Sequence, residues 1–444
     1  MSKILLIVFF KIIFKICVYI EGDVLSELSS KLSDNFRRIF RDELLNLKAK
    51  SVGFFKRKSK LSPIAFLDSL LYIASQTETC SLGQVSTRLQ DYNGMSISKQ
   101  GVDNRFNKES VDFMKSVFAE CLESEFQKVI VSDFFSQFNR VFIKDATRFV
   151  IPDKLAVHFR GSGGSNEKCK AGIGIQYEYD IKNGQTTMLE ITDAARCDLT
   201  DAKDTYANVL PGDLIIRDLG YFYLSVLSEF DRRKAFFLSR LNVKCNVFED
   251  EKGSPISFKE MYNHMIKNEI PLLEKSVFAG MKERLPVRMV VQLVSDEVYE
   301  KRIRKIEKKN KESGYNTSDD YKARCRLNIF ITNVDTIVLA KEEVYAAYKI
   351  RWQIELMFKH WKSTCKIHNS QSMKYERFVC LLYAKLILIV LNLQLIRNLQ
   401  SYYFSEYRRL LSEDKCFKTL TKGFERLLRV LKKIAPNPLM NCLN

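Results

Sequence analysis

The run FVCLLYAKLILIVLNLQLI, residues 378–396, constrains the fold more than any other part of the chain. A helix that is apolar on every side has to be surrounded, by protein or by lipid. Its length is nominally enough to cross a bilayer, but Lys385 stands in its middle and charged residues flank it, and an ionised side chain at bilayer depth is costly. The run therefore reads as a long helix buried in a soluble core. A second apolar run, ILLIVFFKIIFKICVYI at residues 4–20, is broken by Lys11 and Lys15 and followed by EGDVLSEL, which holds no small-residue cleavage site. It reads as a buried or amphipathic helix, or as internal sequence of a chain with an earlier start codon. The expectation is a protein of the cytoplasm with no membrane partner.

A chain of 444 residues is long enough for two or three domains. Its 71 Lys and Arg against 53 Asp and Glu leave a net charge of +18, which favours a polyanion, most commonly nucleic acid. Eleven scattered cysteines with no C-x-x-C pair, and only four histidines, argue against a zinc module or a disulfide framework; reduced thiols are expected.

Residues 1–127 read as a helical region. Apolar residues recur at spacings of three and four in LSPIAFLDSLLYIASQ and SVDFMKSVFAECLESEF. Between them, SLGQVSTRLQDYNGMSISKQGVDNRFN predicts a helix, a turn at Asn93-Gly94 and a second helix capped by Ser96 or Ser98, an arrangement like the helix–turn–helix units that bind DNA. Ser98, Lys99, Gln100, Asn104 and Arg105 suit phosphates and base edges, with Lys99 and Arg105 the candidate DNA contacts. Just upstream, FFKRKSK adds a basic cluster from Lys56 to Lys60.

Strand signals take over from about Val129, and residues 128–242 form the next region. RVFIKD is an apolar β-run ending on Asp145, and the glycine-rich GSGGSNEKCK leads into two alternating strands joined as a hairpin across Lys182-Asn183-Gly184. PGDLIIRDLG is a short strand ending on Asp218, and KAFFLSRLN is another. Strands followed by strand–helix alternation predict a mixed sheet with helices packed on it, an α/β (α+β overall) class. Residues 243–325 differ in texture, with LPVRMVVQLVS as a strand and seven basic residues between Lys301 and Lys311, which read first as a solvated helix face and second as a phosphate-backbone contact. Residues 326–396 return to strand in LNIFITNVD and then to helix, and residues 397–444 form a basic helical tail.

Within 326–396, YKIRWQIELMFKHWK carries one glutamate among cations. At about 100° per residue, Tyr348, Arg351, Glu355 and Lys362 share a stripe roughly 60° wide. Trp352 and Phe358 read as core. A carboxylate between two cations and a phenol makes a poor core but suits a metal held beside a phosphate chain. Asp145 and Asp218 at strand ends, with Glu355 on a facing helix, occupy the places where open sheets put working residues. Three converging carboxylates bind two divalent cations about 3.5–4 Å apart, and hard oxygen ligands select Mg²⁺ or Mn²⁺. Asp180, Asp193 and Asp213 rival the two aspartates, since an aspartate at a strand end is most often a turn residue or helix cap, and Glu343 rivals Glu355.

The spacing Y-x2-R-x3-E-x6-K, filled by Tyr348, Arg351, Glu355 and Lys362, resembles the signature of bacterial insertion-sequence DDE transposases of family four. IKDAT around Asp145 and IRDLGYF around Asp218 are similar to that family's two aspartate motifs. The resemblance implies an RNase H-like core interrupted by a β-rich insertion domain, with Asp145, Asp218 and Glu355 as a triad binding Mg²⁺ or Mn²⁺. It also implies that Tyr348, Arg351 and Lys362 contact phosphates near the cleaved end. It further implies a homodimer acting on terminal inverted repeats and target DNA by cut and paste, through a hairpin in studied members. Those members stack a flipped base on a tryptophan before the last core strand. CRLNIFITN has none, which leaves Phe330 or a tyrosine for that place and the hairpin step open. The competing expectations are a catalytically inactive or domesticated DNA-binding derivative, and a metal-dependent nuclease that cuts without joining.

Overall fold

The computed structural model describes residues 39–55, 59–76, 81–123, 135–162, 170–314, 317–409, 411–420 and 423. The apolar run at 4–20, the basic residues 56–58, the glycine-rich segment 163–169 and half of the basic tail, chiefly 424–444, lie outside the described residues.

The helical region comprises α1 (Asp42–Ser51), α2 (Pro63–Ser75), α3 (Leu82–Asn93), α4 (Lys99–Asp103) and α5 (Lys108–Glu123). Serine hydroxyls cap the starts of α2, α3 and α4. Ser81 Oγ accepts from Gln84 N at 3.2 Å while Gln84 Oε1 accepts from Ser81 N at 2.7 Å, a reciprocal capping box. Gly94 closes α3 at φ +63°, a conformation that costs glycine nothing. Ser98, the second of the two candidate caps, accepts from Gly101 N at 3.1 Å. Ser81→Ala is expected to cost about 1 kcal/mol of stability, measurable as a shift of the urea midpoint at unchanged slope.

There follow β1 (Val141–Val150), β2 (Gly172–Asp180), β3 (Gln185–Asp193), α6 (Asp198–Asp204), β4 (Leu214–Arg217), α7 (Leu224–Arg232) and β5 (Phe236–Arg240). Residues 243–325 contribute β6 (Val247–Phe248), α8 (Phe258–Lys267), β7 (Leu272–Ala279), β8 (Leu285–Leu293), α9 (Asp296–Ser313) and α10 (Asp319–Cys325). The chain closes with β9 (Leu327–Thr332), α11 (Lys341–Lys349), α12 (Trp352–Ser363) and α13 (Tyr375–Tyr407).

All nine strands form one sheet in the order β3-β2-β1-β4-β5-β9-β8-β7-β6. β1, β2 and β3 are antiparallel, β1, β4 and β5 are parallel, and the rest run antiparallel, the mixed sheet that the strand pattern predicts. The hairpin between β2 and β3 turns at Gly184, φ +72°. Strands β6, β7 and β8 do not form a sheet of their own. β8 pairs along the free edge of β9, so residues 243–325 lengthen the same sheet and carry three helices beside their strands.

One sheet face packs Val141, Ile143, Leu214 and Ile216 against the helical region and α13. The other packs Phe142, Ile215 and Phe237 against the elements around α6 and α7. The α13 helix lies against α2 and α5, and its most apolar stretch is 89% buried within the protein. Lys385 does not interrupt that burial, because its ammonium reaches out to donate to the Lys366 and Asn369 carbonyls at 2.8 and 3.0 Å. The seven cysteines among the described residues are free thiols.

Candidate active site

Lys144 of β1 faces Arg217 of β4 in parallel register, so Asp145 and Asp218 are the next residues on adjacent strands. Alternation along a strand then decides where they point. Asp145 shares a face with Ile143, and Asp218 follows Ile216, on the side that carries α12. Lys144 and Arg217 share the opposite face with Phe142 and Ile215. There Lys144, fully buried, pairs with Asp201 at 2.7 Å, and Arg217 pairs with Glu178 at 3.2 Å and donates to Thr205 Oγ1 at 2.7 Å. Burial pulls the Lys144 ammonium below its usual pKa, and the neighbouring Arg217 adds to the effect. Two buried cations thus anchor the strand pair behind the two aspartates.

Asp145 is not at the end of its strand. β1 runs five residues further, to Val150, because its other edge stays paired with β2 after pairing with β4 has stopped. Asp218 does end its strand and opens a short 3₁₀ turn at Leu219–Tyr221.

The third carboxylate comes from α12, whose Ile354, Met357, Phe358 and Trp361 are buried at helical spacing. Trp361, wholly buried, meets the ring of Tyr177 on β2 at 5.0 Å. That contact seats the helix on the sheet with Glu355 in its first turn. The stripe read as one helix is in fact two. Tyr348 is the last residue but one of α11, and the junction is drawn tight by Ile350 N donating to Ala347 O and Arg351 N to Tyr348 O, both three residues back. Two side-chain expectations change accordingly. Trp352, read as core, begins α12 and is 52% exposed. Tyr348, read on the polar stripe, is buried, which pushes its phenol up to about 12.

Arg351 gathers the site. Its guanidinium lies 2.6 Å from Glu355 Oε1, 3.6 Å from Asp145 Oδ2 and 3.8 Å from Asp218 Oδ1, one nitrogen towards each carboxylate. Asp145 also accepts from Ala146 N at 2.8 Å. Burial pushes the Asp145 carboxyl up to about 6; Asp218 and Glu355 push the same way, against Ala146 N–H and Arg351. Lys362 reaches β1 three residues past Asp145, donating to the Arg148 carbonyl at 3.2 Å.

The rival carboxylates all have structural partners. Asp213 takes the Arg140 guanidinium at 2.9 and 2.5 Å, Asp193 takes Arg160 at 3.0 Å, and Asp180 accepts from Val141 N and Lys182 N at 3.1 and 3.0 Å. Glu343 accepts from Ala340 N at 3.2 Å, at the start of α11. In the helix–turn–helix-like segment, Lys99 is exposed at the first residue of α4, a helix of only five residues. Arg105, read as an exposed contact, is half-buried and donates to Ser59 Oγ at 2.9 Å, its guanidinium over the Phe55 ring.

A cleft of about 480 Å³ opens beside Arg351, lined among others by Arg240, Arg302, Tyr345, Tyr348 and Trp352. Arg240 and Arg302 carry no local signal, since one is on a strand and the other within a basic helix where two residues in three are charged. Phe330 is buried behind the cleft, against Tyr345 and Tyr348 at 6.1 and 5.2 Å, so the aromatics open to solvent there are Tyr345 and Trp352.

The sequence profile described as Transposase DDE domain matches residues 136–393, which contain all three converging carboxylates. The chain belongs to the DDE transposase family. It is 31% identical over 425 residues to the transposase of insertion sequence element IS231C from Bacillus thuringiensis subsp. berliner, covering 90% of this chain and 88% of that protein. It is 32% identical over 402 residues to the IS231F transposase of subsp. israelensis, covering 86% and 83%. The IS1151 transposase of Clostridium perfringens is 28% identical over 415 residues, covering 89% and 87%. The family's sheet and this one agree in class, a mixed sheet of the RNase H-like kind flanked by helices.

DDE transposases are DNA-cutting and strand-transferring enzymes that use divalent metal. Among the described residues no three acidic, histidine or cysteine side chains close to metal-ligand distance of one another. In this DDE transposase the Arg351 guanidinium stands between the three carboxylates. The donor chemistry still fits a hard cation, because the three side chains ion-paired with that guanidinium among the described residues are all carboxylates.

Proposed function

We propose that Asp145, Asp218 and Glu355 are the metal-binding and catalytic carboxylates of an insertion-sequence transposase. One observation carries this reading. Three acidic side chains from three distant segments converge on a single guanidinium, while the rival carboxylates are taken up in turns, caps and ion pairs elsewhere. Two ions, Mg²⁺ or Mn²⁺, would be held by these three residues and would activate the attacking water or 3′-hydroxyl while stabilising the leaving oxygen.

The chain's own residues bind and orient the DNA. Arg351 and Lys362 take backbone phosphates near the cleaved end, Arg351 through its planar fork and Lys362 as a point charge. Tyr348 stays neutral in its buried position and serves as a hydroxyl donor. Lys99 and Arg105 belong to the helical region's DNA contact, with residues 1–127 forming the DNA-binding part, 128–242 and 326–396 the two halves of the catalytic core, 243–325 the insertion and 397–444 the basic tail. The enzyme acts in the cytoplasm as a homodimer on paired terminal inverted repeats, by cut and paste. An unstacked base at the end would enter the cleft against Tyr345, the tyrosine of the two expected alternatives, or Trp352, since Phe330 is buried.

The test is incubation of the purified protein with Mg²⁺ and a duplex bearing the element's terminal repeat beside flanking DNA. Cleavage at the repeat boundary followed by joining to a target plasmid supports the reading; cutting without joining identifies a nuclease, and binding without cutting an inactive derivative. Lys362→Ala is expected to weaken binding of that duplex and to lower the slope of log affinity against log salt by about 1, as measured by fluorescence anisotropy over a salt series.

A further inference from the structure

Arg351 holds more than its share of negative charge. It is 12% exposed, and each of its guanidinium nitrogens is aimed at a different carboxylate. Only the Glu355 contact, at 2.6 Å, is a hydrogen bond; those to Asp145 and Asp218, at 3.6 and 3.8 Å, are longer than one. A single positive charge therefore faces three carboxylates and holds two of them loosely. Arg351 also lines the cleft that Arg240, Arg302 and Trp352 border, so the residue lies between the carboxylate cluster and a space that a DNA phosphate could enter.

We propose that Arg351 is a tethered counter-ion of the DNA-free enzyme. It occupies the carboxylate cluster, competes with the divalent cation for it, and gives it up when a DNA phosphate takes the guanidinium. The inference rests on the reading of the three carboxylates as the ligand set. A planar guanidinium pairs with phosphate in bidentate fashion at least as well as with a carboxylate it touches through one nitrogen. A divalent ion likewise compensates the carboxylates better than one unit charge at these distances. Each exchange helps the other, so DNA end and cation bind cooperatively, and by linkage the coupling is reciprocal. The consequence is a site that assembles its metal only on DNA, which keeps an enzyme that cuts phosphodiesters inert when it is free.

The experiment is Mn²⁺ binding to the full chain, followed by the electron paramagnetic resonance signal of the free ion. It compares wild type, Arg351→Gln, Arg351→Lys and the double variant Arg351→Gln/Glu355→Gln. Each is measured alone and with a pre-cleaved, 5′-phosphorylated duplex whose own Mn²⁺ uptake is subtracted. Without DNA, Arg351→Gln should bind Mn²⁺ about tenfold more tightly than wild type, and Arg351→Lys, which keeps the charge but not the fork, should gain less. The duplex should tighten binding by wild type and leave Arg351→Gln unchanged. If Arg351→Gln and Arg351→Lys bind no better than wild type while the double variant loses Mn²⁺, the ligand set stands and the counter-ion proposal is overturned. If the double variant binds as tightly as Arg351→Gln, the ligand set itself is wrong and the proposal goes with it.

Discussion

Glu355→Gln lowers the rate of end cleavage by about 10³-fold or more, because a divalent ion's stabilisation of the reacting oxygens is worth several kcal/mol and depends on an anionic ligand. The substitution keeps the shape of the side chain and leaves an amide oxygen that can still accept from Arg351 Nη2, which bonds Glu355 at 2.6 Å. The first turn of α12 and its packing through Ile354, Phe358 and Trp361 are untouched. Binding of the terminal-repeat duplex should therefore stay within about threefold of wild type, since phosphate contacts and not this carboxylate supply that affinity. Single-turnover cleavage and anisotropy on the same preparation separate the two quantities. A variant that cuts at the wild-type rate would remove Glu355 from the site.

The second large effect is on stability. Lys144 and Asp201 are both fully buried and 2.7 Å apart on the sheet face behind Asp145. Asp201→Ala leaves the Lys144 ammonium without its close counter-charge in a place that already disfavours it, and should cost roughly 3–5 kcal/mol in denaturant unfolding. Replacing both partners by apolar residues of similar volume, Lys144→Met with Asp201→Leu, should recover most of that loss, because the buried ammonium is removed together with its counter-charge and Arg196, 3.8 Å from Asp201, is partly exposed. A loss below about 1 kcal/mol for Asp201→Ala would mean that the pair does not anchor β1.

The sheet was legible because its signals are local. Alternating residues in β2 and β3, the Asn183-Gly184 turn and the short apolar runs of β4 and β5 each encode a strand without reference to the rest of the chain. The buried 33-residue α13 was legible for the same reason, being apolar on all sides. The point where β1 ends was not. Ala146 to Val150 mixes polar and apolar residues because that stretch outruns β4 and is held on one edge only, by β2. Nor does any local pattern announce that β8 will pair with β9 and bring β7 and β6 into the same sheet, since strand partners distant in sequence leave no periodicity.

At the site, the kinship of Arg351 and Glu355 could be read from their i, i+4 spacing. The reach of the same guanidinium to Asp145 and Asp218 depends on the tertiary fold alone. Trp352 was misplaced because a helical wheel assumes one unbroken helix, and the chain tightens at Ile350–Arg351. The half-burial of Arg105 leaves no local signal because its partner, Ser59, belongs to a loop on the far side of α2 and α3 in sequence.

The most direct measurement is a crystal structure of the protein bound to a pre-cleaved terminal-repeat duplex in Mn²⁺, with anomalous scattering used to locate the ion. The account requires anomalous density coordinated by carboxylate oxygens of Asp145, Asp218 and Glu355, with the Arg351 guanidinium moved onto a phosphate. Density coordinated by other residues, or a cluster still closed around Arg351 with no ion in it, would contradict it.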